Sequence, residues 1–164
     1  MKIHEDYLRS LMFGLQDGIV STTGVVAGIS AGVESKPIVV LAALVAVTVE
    51  ASSMAAGQYT SEKAVHEMDK TGRHTDNLVL GSVIMFFSYL IGGSFSIIPT
   101  LIFDQPLGRY LAIASSFMGL ALIGYIKGHI VDHEMPLRSA FELLVIGGLA
   151  TLIGLIVGVT LKIY

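Results

Sequence analysis

Asn77 to Phe103 reads NLVLGSVIMFFSYLIGGSFSIIPTLIF, 27 residues without one Asp, Glu, Lys or Arg. A helix needs roughly 20 apolar residues to cross about 30 Å of hydrocarbon, and this run exceeds that. In lipid the backbone must satisfy its own hydrogen bonds, which an open strand cannot do, so the run is a transmembrane helix. Four further charge-poor runs flank it. Leu11–Val33 is interrupted by Gln16 and Asp17, and a run from Pro37 to about Ser61 by Glu50. Tyr110–Ile126 and Ser139–Leu161 follow, the latter with Glu142 near its start. Pro37 suits a first helical turn. The spacing predicts helices over 10–33, 37–64, 77–103, 108–128 and 138–162: an all-α integral membrane protein with five transmembrane helices in a single domain, 1–164.

Composition agrees. The 164 residues are 53% hydrophobic and 14% charged, against roughly 25% charged in soluble domains. Mean hydropathy is +0.74, and 18 glycines suit close helix packing in lipid. A net charge of -3 offers no basic patch, so no nucleic-acid partner is expected. Cysteine is absent, which excludes disulfides, thiolate metal sites and a cysteine nucleophile. Met1 to Arg9 is polar and of mixed charge, unlike a cleaved signal. With no targeting segment and so small a chain, a prokaryotic plasma membrane is the expected location.

Basic residues sort by side. Lys2, Arg9, Lys63, Lys70, Arg73, Lys127 and Arg138 fall at one end of the spans, and Lys36, Arg109 and Lys162 at the other. Positive charge collects inside, which puts the N-terminus in the cytosol and the C-terminus outside. An odd number of spans cannot be two equal inverted halves, so a transport path calls for a second copy of the chain.

A carboxylate within a span costs a few kcal/mol on insertion scales and marks a functional site by default. Asp17 lies eight residues beyond Arg9, about 12 Å deep at 1.5 Å per residue. Glu50 lies fourteen residues from Lys36, about 21 Å, which leaves about 9 Å of the core beneath it. The two fall within about one turn of the same depth on helices joined by a tight turn. Asp17, Ser21, Gly24 and Gly28 form a small, polar stripe, although for the glycines packing is the simpler explanation. On the second helix Glu50, Met54, Gly57 and Ser61 share a face. Two carboxylates at close range hold a proton or a cation between them, the basic device of proton–cation exchange. Carboxylate oxygens suit Mg²⁺, Ca²⁺ or Mn²⁺, and a thioether shifts preference toward later transition metals. An interior methionine is more often a gap filler, and Met85 and Met118 are read as core.

Outside the spans, Glu62, His66 and Asp69 share nearly one helix face and are a candidate cytosolic capture site for a divalent ion, the commoner alternative being a solvated helix end. His129, Asp132, His133 and Glu134 give a weaker signal of the same kind. Glu142, one turn after Arg138, reads as an interfacial ion pair. Ser21, Ser52 and Ser53 have no histidine partner in the spans and no phosphate-cradling motif occurs, so neither enzyme activity nor a bound cofactor is expected.

DGIVSTTGVVAG (Asp17–Gly28) and EASSMAAGQYTSEKA (Glu50–Ala64), supported by GYIKGHI, RSAFELLVIGGLA and LIVG near the C-terminus, resemble the vacuolar iron transporter family of Fe²⁺/Mn²⁺ transporters. The resemblance covers nearly the whole chain. It implies a five-helix protomer working as a homodimer, and proton-coupled export of Fe²⁺ or Mn²⁺ from the cytosol. Asp17 matches the family's first-helix aspartate and Met54 its second-helix methionine. From the residues themselves Glu50, one turn before Met54, is the expected partner acid, replacing the family's ligand from a shifted position or tuning the site for another ion, and Ser21, Gly24, Gly57 and Gln58 are expected along the pathway. The chain departs from the pattern in three places. Ala46 stands where the second-helix carboxylate is often found, and Gln58 where the family has a glutamate. The 62–76 segment is too short for the glutamate-rich cytosolic bundle of many members, so the chain resembles a minimal, membrane-only form. A passive divalent cation channel and a non-transporting membrane scaffold are the alternatives.

Overall fold

The computed structural model describes residues 5–68, 77–131 and 135–162. Five helices follow one another: α1 (Glu5–Gly32), α2 (Lys36–Met68), α3 (Leu78–Ile102), α4 (Leu107–Val131) and α5 (Pro136–Thr160). No strand occurs among the described residues. Helices α2 to α5 are each long and apolar enough to cross a membrane. α1 is long enough at 28 residues but is more polar, carrying Glu5, Asp6, Arg9 and Asp17.

Several helices outrun their apolar cores. α1 begins at Glu5, five residues before the predicted start, with Glu5 and Asp6 in its first turn, where the helix dipole favours negative charge. α2 continues to Met68, a turn beyond the predicted 64, so Glu62 and His66 are helical. Hydropathy marks only the part of a helix that meets lipid, and backbone hydrogen bonding carries the helix past it. At α3 the Asn77 side chain caps the helix by accepting from the Leu80 N–H at 3.1 Å.

α1 is the hub, packing against all four other helices, whereas α2 touches only α1 and α3 among the described residues. Small residues permit this. A Cβ on Gly28 would stand 2.7 Å from the Gly154 carbonyl oxygen, and one on Gly32 equally close to that of Gly158, so α1 and α5 meet backbone to backbone. Gly14 and Gly18 do the same against α3 at Met85 and Tyr89. One apolar cluster, Val26, Val39, Ala43, Val47, Ala51, Tyr89, Ile97 and Ala112, joins α1 to α4. A second, Ile19, Leu120, Ile123 and Leu143, joins α1, α4 and α5. Buried hydroxyls link helices across these clusters, with Thr23 Oγ1 2.8 Å from Ser96 Oγ and Ser96 Oγ 2.7 Å from Ser116 Oγ. Met85 is core as expected, but Met118 is not: at 74% exposure it projects from the outer face of α4. Methionine is as much at home against lipid as in a core, so residue type alone did not separate the two.

Candidate functional site

The close approach at Gly18 brings the middle of α1 against the α3 backbone at Tyr89. Tyr89 is 1% exposed, and its hydroxyl needs a partner in this setting. It donates to Glu50 Oε2 of α2 at 2.5 Å. It also meets the Ser21 hydroxyl of α1 at very short range. Ser21 in turn hydrogen-bonds the Asp17 backbone carbonyl at 2.8 Å. The single phenolic proton goes to the carboxylate, so the Ser21 hydroxyl is the donor toward Tyr89, shared with the Asp17 carbonyl. The result is a chain from α1 through α3 to α2 at one level of the bundle.

Asp17 and Glu50 are close enough to interact through their charges, and Tyr89 lies within the field of both. The two carboxylates expected at one depth thus lie near each other. Each is half-buried, and the Asp17 backbone carbonyl accepts from the Ser21 hydroxyl.

Toward the Arg9 end, Met54 is one turn from Glu50 and packs against the apolar cluster that contains Ala51 and Tyr89. Gln58, a turn further, donates to Ser10 Oγ at 3.1 Å and to Glu62 Oε1 at 3.3 Å. The same Glu62 carboxylate is held in a close ion pair by Arg9, which also reaches Asp6 at 3.6 Å. His66 Nδ1 lies 2.9 Å from the Glu62 carbonyl oxygen. Glu62 and His66 are therefore neighbours, but the carboxylate already has a cation. Asp69, the third residue of that expected capture site, lies outside the described residues, as do Asp132, His133 and Glu134 of the weaker cluster. No group of three or more His, Asp or Glu side chains placed to hold a metal occurs among the described residues. Arg138 pairs with Glu142 at 3.3 Å, the ion pair read from their spacing.

Toward the opposite end the site is sealed by Val26, Val39, Ala43, Val47 and Ile97. Thr22 is fully buried, and its hydroxyl makes no hydrogen bond among the described residues. It stands beside Val47 and Gly93, one helical turn from Tyr89. Of the glycines placed on the pathway, Gly24 packs against Ala150 of α5, whereas a Cβ on Gly57 would meet nothing within 4 Å.

Tyr89 and Arg9 are the residues that sequence reasoning missed. The signal for Tyr89 was present: it is the single phenol in the charge-free run from Asn77 to Phe103, and a hydroxyl in lipid points to a partner. Arg9 gave none, since Glu62 is 53 residues away in the chain.

The model of the VIT family matches residues 8–79 and 65–159, which together span most of the chain. The chain is also similar to vacuolar iron transporter homolog 2 of Oryza sativa subsp. japonica, with 27% identity over 165 aligned positions that cover 90% of this chain and 86% of the relative.

Proposed function

The chain belongs to the VIT family, and from that premise we propose that it is a proton-coupled transporter that exports Fe²⁺ or Mn²⁺ from the cytosol. The observation that carries the reading is the Asp17–Glu50 pair, two mutually interacting carboxylates within otherwise charge-poor helices. The pair takes either a proton or a divalent ion. A metal arriving between the carboxylates displaces the proton, and a proton arriving from the far side displaces the metal. The Tyr89 hydroxyl holds Glu50 in place for both states. Asp17 is the central ligand and proton carrier, Glu50 its partner, and Met54 a soft ligand on the cytosolic side.

All five helices cross the membrane in this reading, α1 included, with the N-terminus in the cytosol as the distribution of Lys and Arg favours. Two copies of the chain enclose the pathway, which agrees with the half-buried state of Asp17 in one protomer. Capture of metal at Glu62, with His66 and Asp69, requires Glu62 to part from Arg9. A prokaryotic plasma membrane was expected from chain size, whereas the rice relative is named for the vacuole. The mechanism needs only a membrane that carries a proton gradient.

The test is metal uptake into proteoliposomes with and without a pH gradient, comparing Fe²⁺, Mn²⁺, Zn²⁺ and Ca²⁺. Gradient-driven uptake of Fe²⁺ or Mn²⁺ that disappears in Asp17→Asn supports the reading. Uptake indifferent to the gradient identifies a channel, and no uptake of any ion identifies a scaffold.

A further inference from the structure

A groove of about 410 Å³ runs between α1 and α4 at the Arg9 end of the bundle, on a side away from the carboxylate pair. Its wall is apolar, made by Leu8, Met12 and Phe13, and it extends from Glu5 to Gln16. The eleven helical steps from Glu5 to Gln16 make it about 16 Å long. Arg9 and Lys127 border it. The two cations differ in their state. Arg9 is already committed to Glu62 and Asp6. Lys127 is half-buried and meets no carboxylate among the described residues, where Lys36, Lys63 and Arg138 each have one.

We propose that this groove binds an anionic phospholipid, with one acyl chain along Leu8, Met12 and Phe13 and the phosphate on Lys127. The shape fits a chain that enters sideways from the bilayer, since the groove opens along its length and its floor is hydrocarbon. The charge fits as well. A half-buried ammonium beside apolar surface is costly without a counter-ion, and basic pockets between helices on the cytoplasmic side bind acidic headgroups. A zwitterionic lipid brings its own cation and leaves Lys127 without net compensation. Glu5, at the water end of the groove, repels a headgroup that rides too high and so sets its depth.

Native mass spectrometry of the purified protein, supplied with equal amounts of phosphatidylglycerol and phosphatidylcholine, tests this without any measurement of transport. Wild type should retain phosphatidylglycerol in preference. Lys127→Gln should weaken that retention about tenfold, equivalent to roughly 1.4 kcal/mol, and Lys127→Arg should restore it. Inorganic phosphate should not compete, because the acyl chain supplies part of the affinity. Equal retention of the two lipids by wild type overturns the proposal, and that comparison needs no variant. So does unchanged retention in Lys127→Gln, or displacement by inorganic phosphate. Efficient cross-linking of Phe13→Cys between two copies in the membrane also overturns it, since a second protein chain would then cover the groove.

Discussion

The Tyr89 hydroxyl donates to Glu50 Oε2 at 2.5 Å, and through that one bond α3, which has no charged residue, fixes the carboxylate of α2. The phenol reaches Ser21 on α1 with the same oxygen. The acid of α2 is thus set by a third helix that contributes no charge of its own, and that helix reaches the turn of α1 that follows Asp17.

Tyr89→Phe keeps the packing of the core and removes only this bond. A hydrogen bond to a charged group is worth about 1.5–3 kcal/mol. If Glu50 depends on it for position, metal uptake should fall by roughly tenfold or more while the protein still elutes as wild type on gel filtration. Uptake within a factor of two of wild type would mean that Glu50 finds its position without Tyr89.

The carboxylate pair should behave as one unit. Asp17→Asn and Glu50→Gln should each abolish both metal uptake and the accompanying proton movement, read with a pH-sensitive dye inside the vesicles. The double variant should be no worse than either single one, as for groups that act together. Metal movement that persists in either variant without proton movement would separate the two activities and count against exchange.

The glycines divide by surroundings rather than by sequence context. Gly28→Val drives a side chain into the Gly154 backbone and should cost about 1–3 kcal/mol or more through overpacking. Gly57→Ala meets no neighbour and should stabilise the protein by up to about 1 kcal/mol, the helix-propensity difference. Thermal unfolding in detergent measures both.

Arg9 occupies the Glu62 carboxylate, which the proposed metal capture would require. Arg9→Gln should lower the half-saturating metal concentration by roughly twofold to fivefold, because an ion pair with one exposed partner is worth about 1 kcal/mol or less. Glu62→Gln should raise it. Initial rates of uptake across a metal titration decide the matter, and unchanged half-saturation in both variants removes Glu62 from the path.

The spans were legible because lipid imposes a simple code: about 20 residues without charge make a crossing helix, and the run from Asn77 to Phe103 obeys it without exception. Asp17 and Glu50 were legible for the converse reason, as violations of that code. The polar helix ends at 5–9 and 65–68 were not, since no lipid constrains their composition. Tyr89 looked like an ordinary aromatic in an apolar run, and only the packing of α1 on α3 reveals what its hydroxyl touches. The Arg9–Glu62 pair depends on two helix ends meeting in space, which no local pattern encodes. Met118 shows the limit of residue type: lipid and protein core are alike to a thioether.

The central position of α1 has a bearing on how the protein is made. Of the five described helices, α1 precedes the others in the chain, carries four charged residues and touches every other. In the proposed five-span arrangement its own hydrophobicity holds α1 in the bilayer weakly, with Asp17 opposing stable residence there. In that arrangement the seating of α1 draws on the helices that follow it, among them α5, whose glycines close onto Gly28 and Gly32. A chain truncated before α5 should leave α1 loosely seated and open to quality-control proteolysis, although every residue of the carboxylate pair would already have been synthesised.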